Sequence, residues 1–160
     1  MTEPCRALRG LLEAVVREYR RILGRNLAGI YLHGSAAFGC FRWQTSDIDL
    51  LVAVHAPPSS RQKEGLVRTL LAQGAAAPPA GFEMSVVLVR YCRQFVWPVP
   101  YELHFSNMHR ASFEKDLSAA CAHMHGTDKD LAAHFAVTRA AGVTLWGESP
   151  RTMFCAIPPG

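Results

Sequence analysis

The chain has 160 residues, 49% of them hydrophobic and 19% charged, with a formal net charge of +4. That length corresponds to one domain able to bury about 70% of its unfolded surface, so disorder and dependence on disulfide staples are both excluded. No apolar run is long enough to span a membrane, and Met1-Thr2-Glu3-Pro4-Cys5-Arg6 lacks the order of charge and apolar core that a signal peptide needs. Cys5, Cys40, Cys92, Cys121 and Cys155 form no Cys-x-x-Cys pair, which suits reduced thiols and a cytoplasmic compartment.

Leu8, Leu11, Leu12, Val15, Tyr19, Ile22 and Leu23 recur at helical spacing and predict an amphipathic helix over 5–24, ending near Gly24. Its arginines, Arg6, Arg9, Arg17, Arg20, Arg21 and Arg25, face Glu3, Glu13 and Glu18 and read as a solvated face. No aromatic-basic interleaving accompanies them, so nucleic acid is not an expected partner. A strand follows from Leu27 to His33, then a short helix from Ser35, then a strand to Val54 headed by Asp47-Ile48-Asp49. Pro57-Pro58-Ser59-Ser60 breaks the chain and caps a helix to about Gln73. The Ala- and Pro-rich stretch 74–81 is a loop before the β-branched run 82–89. Pro98 and Pro100 argue against a central strand and mark a loop before a strand at 101–105. Phe113, Leu117, Cys121 and Met124 share one helical face, and Thr127-Asp128-Lys129-Asp130 resembles a capping box opening a last helix that stops before Gly142. This order of elements predicts an α/β (α+β) domain.

The chemistry concentrates at two places. Gly34-Ser35 ends the first strand: glycine admits close approach of a phosphate, and serine adds a hydroxyl at a helix start. Asp47 and Asp49, two residues apart on a strand, point to one face about 7 Å apart. Carboxylates so placed hold Mg²⁺ together with substrate oxygens and water, because Mg²⁺ sheds water reluctantly. Glu83, near the start of an apolar strand, is costly to bury unless paired or bound to metal; it reads as a third ligand, a general base, or an exposed residue at a fraying end. Cys121, His123 and His125 do not make a zinc site, since on a helix His123 faces away from the other two. His33 reads as packing behind the cradle, Trp43 as an aromatic in the loop between the motifs, and Glu102 and His104 as one face of a strand that lines a pocket or is simply half-exposed.

These residues resemble the DNA polymerase β-like nucleotidyltransferase superfamily and, within it, the aminoglycoside (streptomycin/spectinomycin) adenylyltransferases. The matching pieces are Leu32-His33-Gly34-Ser35-Ala36, Ser46-Asp47-Ile48-Asp49-Leu50-Leu51-Val52, Glu83 with its Val-rich strand, Glu102-Leu103-His104-Phe105, Asp128-Lys129-Asp130-Leu131 and Gly142-Val143-Thr144-Leu145-Trp146-Gly147. The resemblance implies a mixed, twisted β-sheet flanked by helices. It implies Mg²⁺ on Asp47, Asp49 and Glu83, Glu83 as base, and Gly34, Ser35 and Ser46 at the nucleotide phosphates. The activity implied is transfer of a nucleoside monophosphate, AMP from ATP, to a hydroxyl of a small molecule such as an aminoglycoside antibiotic, with release of pyrophosphate and antibiotic resistance as the consequence.

In the resembling enzymes a helical domain follows, and its linker begins where this chain has Phe154 to Gly160. The expected organisation is therefore a nucleotidyltransferase domain over 1–152 and a linker-like tail over 153–160, in either a shortened relative or an isolated domain. Asn107 and Met108 stand where the resembling enzymes carry an acidic residue and a tryptophan. The alternative reading is a minimal, partner-dependent nucleotidyltransferase, such as the antitoxin of a toxin–antitoxin pair, working with a helical partner protein or as a homo-oligomer.

Overall fold

A computed structural model describes residues 3–37, 41–122 and 124–158. The amphipathic helix α1 (Glu3–Leu23) leads through a tight 3-10 turn into β1 (Leu27–His33). A second 3-10 turn, Gly34–Ala36, separates β1 from β2 (Ile48–Val54). Helix α2 (Ser60–Ala72) starts at a true capping box, in which the Ser59 hydroxyl accepts from Gln62 N–H and the Gln62 side chain accepts from Ser59 N–H. Strand β3 (Phe82–Leu88) and the short helix α3 (Val89–Arg93) follow. Next come β4 (Val99–Tyr101), β5 (Leu103–Phe105), α4 (Arg110–Lys115), α5 (Leu117–Ala122) and β6 (Gly126–Asp128). The described chain closes with α6 (Leu131–Ala141), β7 (Val143–Gly147) and α7 (Pro150–Met153).

Five strands form one mixed sheet in the order β5-β3-β2-β1-β7, parallel only between β2 and β3; β4 and β6 form a separate ribbon. The parallel pair needs a crossover, and α2 supplies it. Both faces of the sheet are covered, which is why β1, β2 and β3 are nearly continuous apolar runs rather than alternating ones. On one face Ile30, Leu50, Val52, Met84 and Val86 pack with α1, α2, α4 and α5. On the other, Tyr31, Leu51, Ala53 and Val87 pack with Leu131 and Phe135 of α6 and with Met153 and Phe154.

Four details differ from the sequence expectation. Pro100 lies inside β4, opposite Thr127 of β6. A two-stranded ribbon has only edges, so a residue without an N–H is tolerated there although it would be excluded from the main sheet. The last long helix begins at Leu131, not Thr127: Thr127 pairs with β4, and the Asp128 carboxylate accepts from Asp130 N–H, so the acidic cluster closes a turn instead of capping a helix. The single helical face carrying Phe113, Leu117 and Cys121 is broken at Asp116, whose carboxylate accepts from Ala119 N–H and starts α5. Strand β7, half-exposed and short, pairs with β1 at the sheet edge and has no clear period of its own. No helix among the described residues is long and apolar enough to cross a membrane.

Met153 and Phe154, at the start of the expected linker-like tail, are packed into the core. Phe154 is 1% exposed, its ring 4.9 Å from that of Phe135 and 5.3 Å from that of Tyr31. Phe154→Ala should cost about 3–5 kcal/mol of folding stability through lost burial and the cavity left behind. Urea denaturation measures it, and a loss below about 1 kcal/mol would show that the site collapses or that the ring is not packed in solution.

Candidate functional site

The end of β1 and the heads of β2 and β3 meet at one edge of the sheet, and their register aligns three side chains. His33 lies opposite Asp49 in the antiparallel pair, and Asp49 lies opposite Glu83 in the parallel pair. Asp47 stands one residue before β2, where Ile48 N–H donates to Gly81 O at 2.9 Å and ties the start of β2 to the start of β3. The result brings Asp47, Asp49 and Glu83 together, with one carboxylate oxygen of each within 4.8 Å of the others, all three half-buried. Among the described residues this is the one cluster of side chains suited to holding a metal.

Gly34 sits against this cluster. Its φ is +70°, a conformation side chains disfavour, and a Cβ there would run into the Asp49 carboxylate. The room left by its missing side chain is thus taken by Asp49. Ser35 follows in the 3-10 turn, half-buried, with no side-chain hydrogen bond to another described residue. The Ser46 hydroxyl accepts from Arg42 N–H at 3.0 Å, and Ser46 N–H donates to Arg42 O at 2.8 Å, closing the loop that delivers Asp47.

A cavity of about 270 Å³ opens beside the carboxylates, lined by Asp47, Glu83, His104, Ser106, Asn107 and His109 among others. Of the two residues expected to share a strand face, His104 lines this cavity while Glu102 falls at the bend before β5, its N–H donating to Val86 O. His104 Nδ1 and the Ser85 hydroxyl are 2.9 Å apart, as are His109 Nδ1 and the Ser106 hydroxyl. Burial, then the neighbouring His109, holds His104 below its ordinary range. His33 is buried against the His134 ring and is pushed down to about 4 by burial and by that neighbour. Sequence reasoning missed His109, Ser106 and His134, because no spacing rule connects them to the carboxylates. Trp43 packs edge-on against Phe41 and onto the main core. Cys40 and His123 lie outside the described residues.

The donor set fits a hard divalent cation. Burial and then the charges of Asp47 and Glu83 push the Asp49 carboxyl up to about 8, and burial and Asp47 raise Glu83 as well. A bound cation would compensate this repulsion, and oxygen-only ligands match the preference of Mg²⁺ or Ca²⁺ over softer metals. The pH dependence follows with a definite sign. Asp49 binds its proton more tightly folded than unfolded, so the stability it contributes is complete below the ordinary carboxylate range and is lost as pH rises toward about 8. With chelator present, thermal unfolding should therefore shift downward across that window. Asp49→Asn should flatten the dependence, and divalent cation should raise the wild-type midpoint most at the alkaline end; a wild-type profile that matches Asp49→Asn would reject the assignment.

No protein-family model matches the sequence. Among solved structures, spectinomycin adenyltransferase AAD(9) from Enterococcus faecialis, crystallised with ATP and spectinomycin, aligns with a TM-score of 0.80 at 18% identity over 93% of this chain. The chain spans 60% of that protein's length. A toxin-antitoxin structure with AMP-PNP aligns at a TM-score of 0.43 and 17% identity, over 85% of this chain and 73% of that one. The first likeness is one of fold: over nearly its whole length this chain has a nucleotidyltransferase-type fold, with a mixed five-stranded sheet flanked by helices.

Proposed function

We propose that this chain is a nucleotidyltransferase that moves a nucleoside monophosphate, AMP from ATP, to a hydroxyl of a small molecule and releases pyrophosphate. The observation that carries the reading is the convergence of Asp47, Asp49 and Glu83 beside the Gly34-Ser35 turn, within a fold like that of an adenyltransferase. Asp47, Asp49 and Glu83 would hold Mg²⁺, which when bound offsets charge on the phosphates and on the leaving oxygen. Ser35 offers its hydroxyl to a phosphate. Ser46 accepts from Arg42 N–H and so keeps its own hydroxyl proton to donate. Glu83 lines the 270 Å³ cavity, and in this reading it takes the proton from an acceptor hydroxyl seated there.

The acceptor would occupy the cavity between Glu83 and His104. Spectinomycin and other aminoglycosides belong in the acceptor panel because the similar fold was crystallised with spectinomycin. Pyrophosphate release from ATP with Mg²⁺, followed across nucleotides and acceptors, tests the reading. Asp49→Asn should lower turnover on the order of a thousandfold. Glu83→Gln should lower turnover more than nucleotide affinity measured by calorimetry. Near-normal turnover in Asp49→Asn would reject the site, and equal losses of binding and turnover in Glu83→Gln would assign Glu83 to metal binding alone.

A further inference from the structure

A second concave surface lies on the opposite side of the sheet from the carboxylates. Asp49 shares its strand face with Leu51 and Ala53, which pack toward α6, whereas α1 covers the face carrying Leu50 and Val52. Along α1, from Cys5 to Gly24, runs an open groove of about 870 Å³, floored by Leu8, Leu12, Val16, Leu145 and Trp146. These five side chains pack against the core with one side and leave the other uncovered. The lining runs along α1 from Cys5 to Arg21 and on to Gly24, so the groove is about 30 Å long. Strand β7 is the last strand of its sheet, paired on one side only, with β1.

The rim is strongly one-signed. Arg9, Arg17, Arg20 and Arg21 line the groove against a single acid, Glu13. Arg9 pairs with Glu13 and Arg21 with Glu18, both on the surface. Arg20 lies 5.3 Å over the Trp146 ring, and Arg17 makes no ion pair among the described residues. A second copy of the chain would bring the same excess of arginine against this one and meet repulsion. A nucleic acid would leave the apolar floor uncovered, since the one aromatic ring there is already taken by Arg20.

We propose that this groove is the docking site for an amphipathic α-helix of a partner protein, its apolar stripe on Leu8, Leu12, Val16 and Trp146 and its flanks acidic. Shape sets the helix: an elongated trough beside α1 accepts a cylinder about 10 Å wide, with apolar anchors repeating at helical spacing. Charge sets the flanks, and opposite charge along the rim steers association and fixes orientation. The surface is independent of the carboxylate site, so it stands whether or not the chain transfers nucleotides.

The probe is a labelled amphipathic peptide of about 18 residues with a leucine stripe and glutamate flanks, titrated by fluorescence anisotropy against the full chain. Its twins carry lysine flanks or a serine stripe. The glutamate peptide should bind on the order of tenfold or more tightly than either twin, and more weakly as salt rises. The double variant Arg17→Glu/Arg20→Glu should reverse the preference between glutamate and lysine peptides. Arg17→Glu alone, at an exposed position, should weaken the glutamate peptide in the same direction while leaving the melting curve in place. Equal binding of the glutamate and lysine peptides, or no change in either variant, overturns the proposal. So does a wild-type dimer in sedimentation that the double variant dissolves, which would give the groove to a second copy.

Discussion

The parallel register of β2 on β3 sets Asp49 beside Glu83, and with Asp47 just ahead it packs three like charges into a space where they repel. Left to themselves the carboxylates would separate. What holds them is the apolar run behind each one: Leu50 to Val54 and Met84 to Leu88 are buried on both faces, and a slip of one residue would exchange every one of those side chains between two cores packed by different helices. The hydrophobic core thus fixes the register, the register fixes the acids, and the repulsion appears as the raised proton affinity of Asp49 and Glu83. Gly34 belongs to the same constraint, because the Asp49 carboxylate occupies the place of any side chain there.

The two faces of the sheet divide the labour. The face under α1 and α2 holds the larger core, including Tyr19, whose hydroxyl donates to Leu66 O and joins the two helices. The other face holds a smaller core around Tyr31, Phe135 and Phe154, and the carboxylates emerge at its edge. The His33 ring lies 5.1 Å from that of His134 between that core and the acids, and burial holds His33 well below its ordinary range. A rigid base with a polar cluster at the strand ends suits chemistry that depends on positioning.

Elements whose own residues determine their neighbours were legible in the sequence. Strand β1 lies at the expected residues, and α1, β2, α2 and β3 differ from expectation by at most a few residues at their ends, because long apolar runs and a strong Ser59 cap leave few alternatives. Elements that exist only through a partner were not. Strands β4 and β6 stabilise each other as a ribbon, so Pro100 on one side and Thr127 on the other misdirect a reading of either segment alone. Strand β7 is half-exposed and earns its place by pairing with β1. The break at Asp116 is a side-chain cap competing with a helical period that runs through it.

The sequence by itself determined which residues are the candidates for a site: two aspartates two apart at the head of an apolar strand, a glutamate at the head of another, and a Gly-Ser turn. Alternation along a strand is a local property, and it limits where an acid can face. Only the tertiary structure decided that these acids share one site, that His104 and His109 join Glu83 around a cavity, and that Phe154 belongs to a core. It also exposed a basic, apolar groove along α1, where the arginines alone had read as a solvated face. The physical reason is the same in each case. Distances between strands, and the surface left uncovered once they pack, are set by pairings between residues far apart in the chain, which local periodicity does not encode.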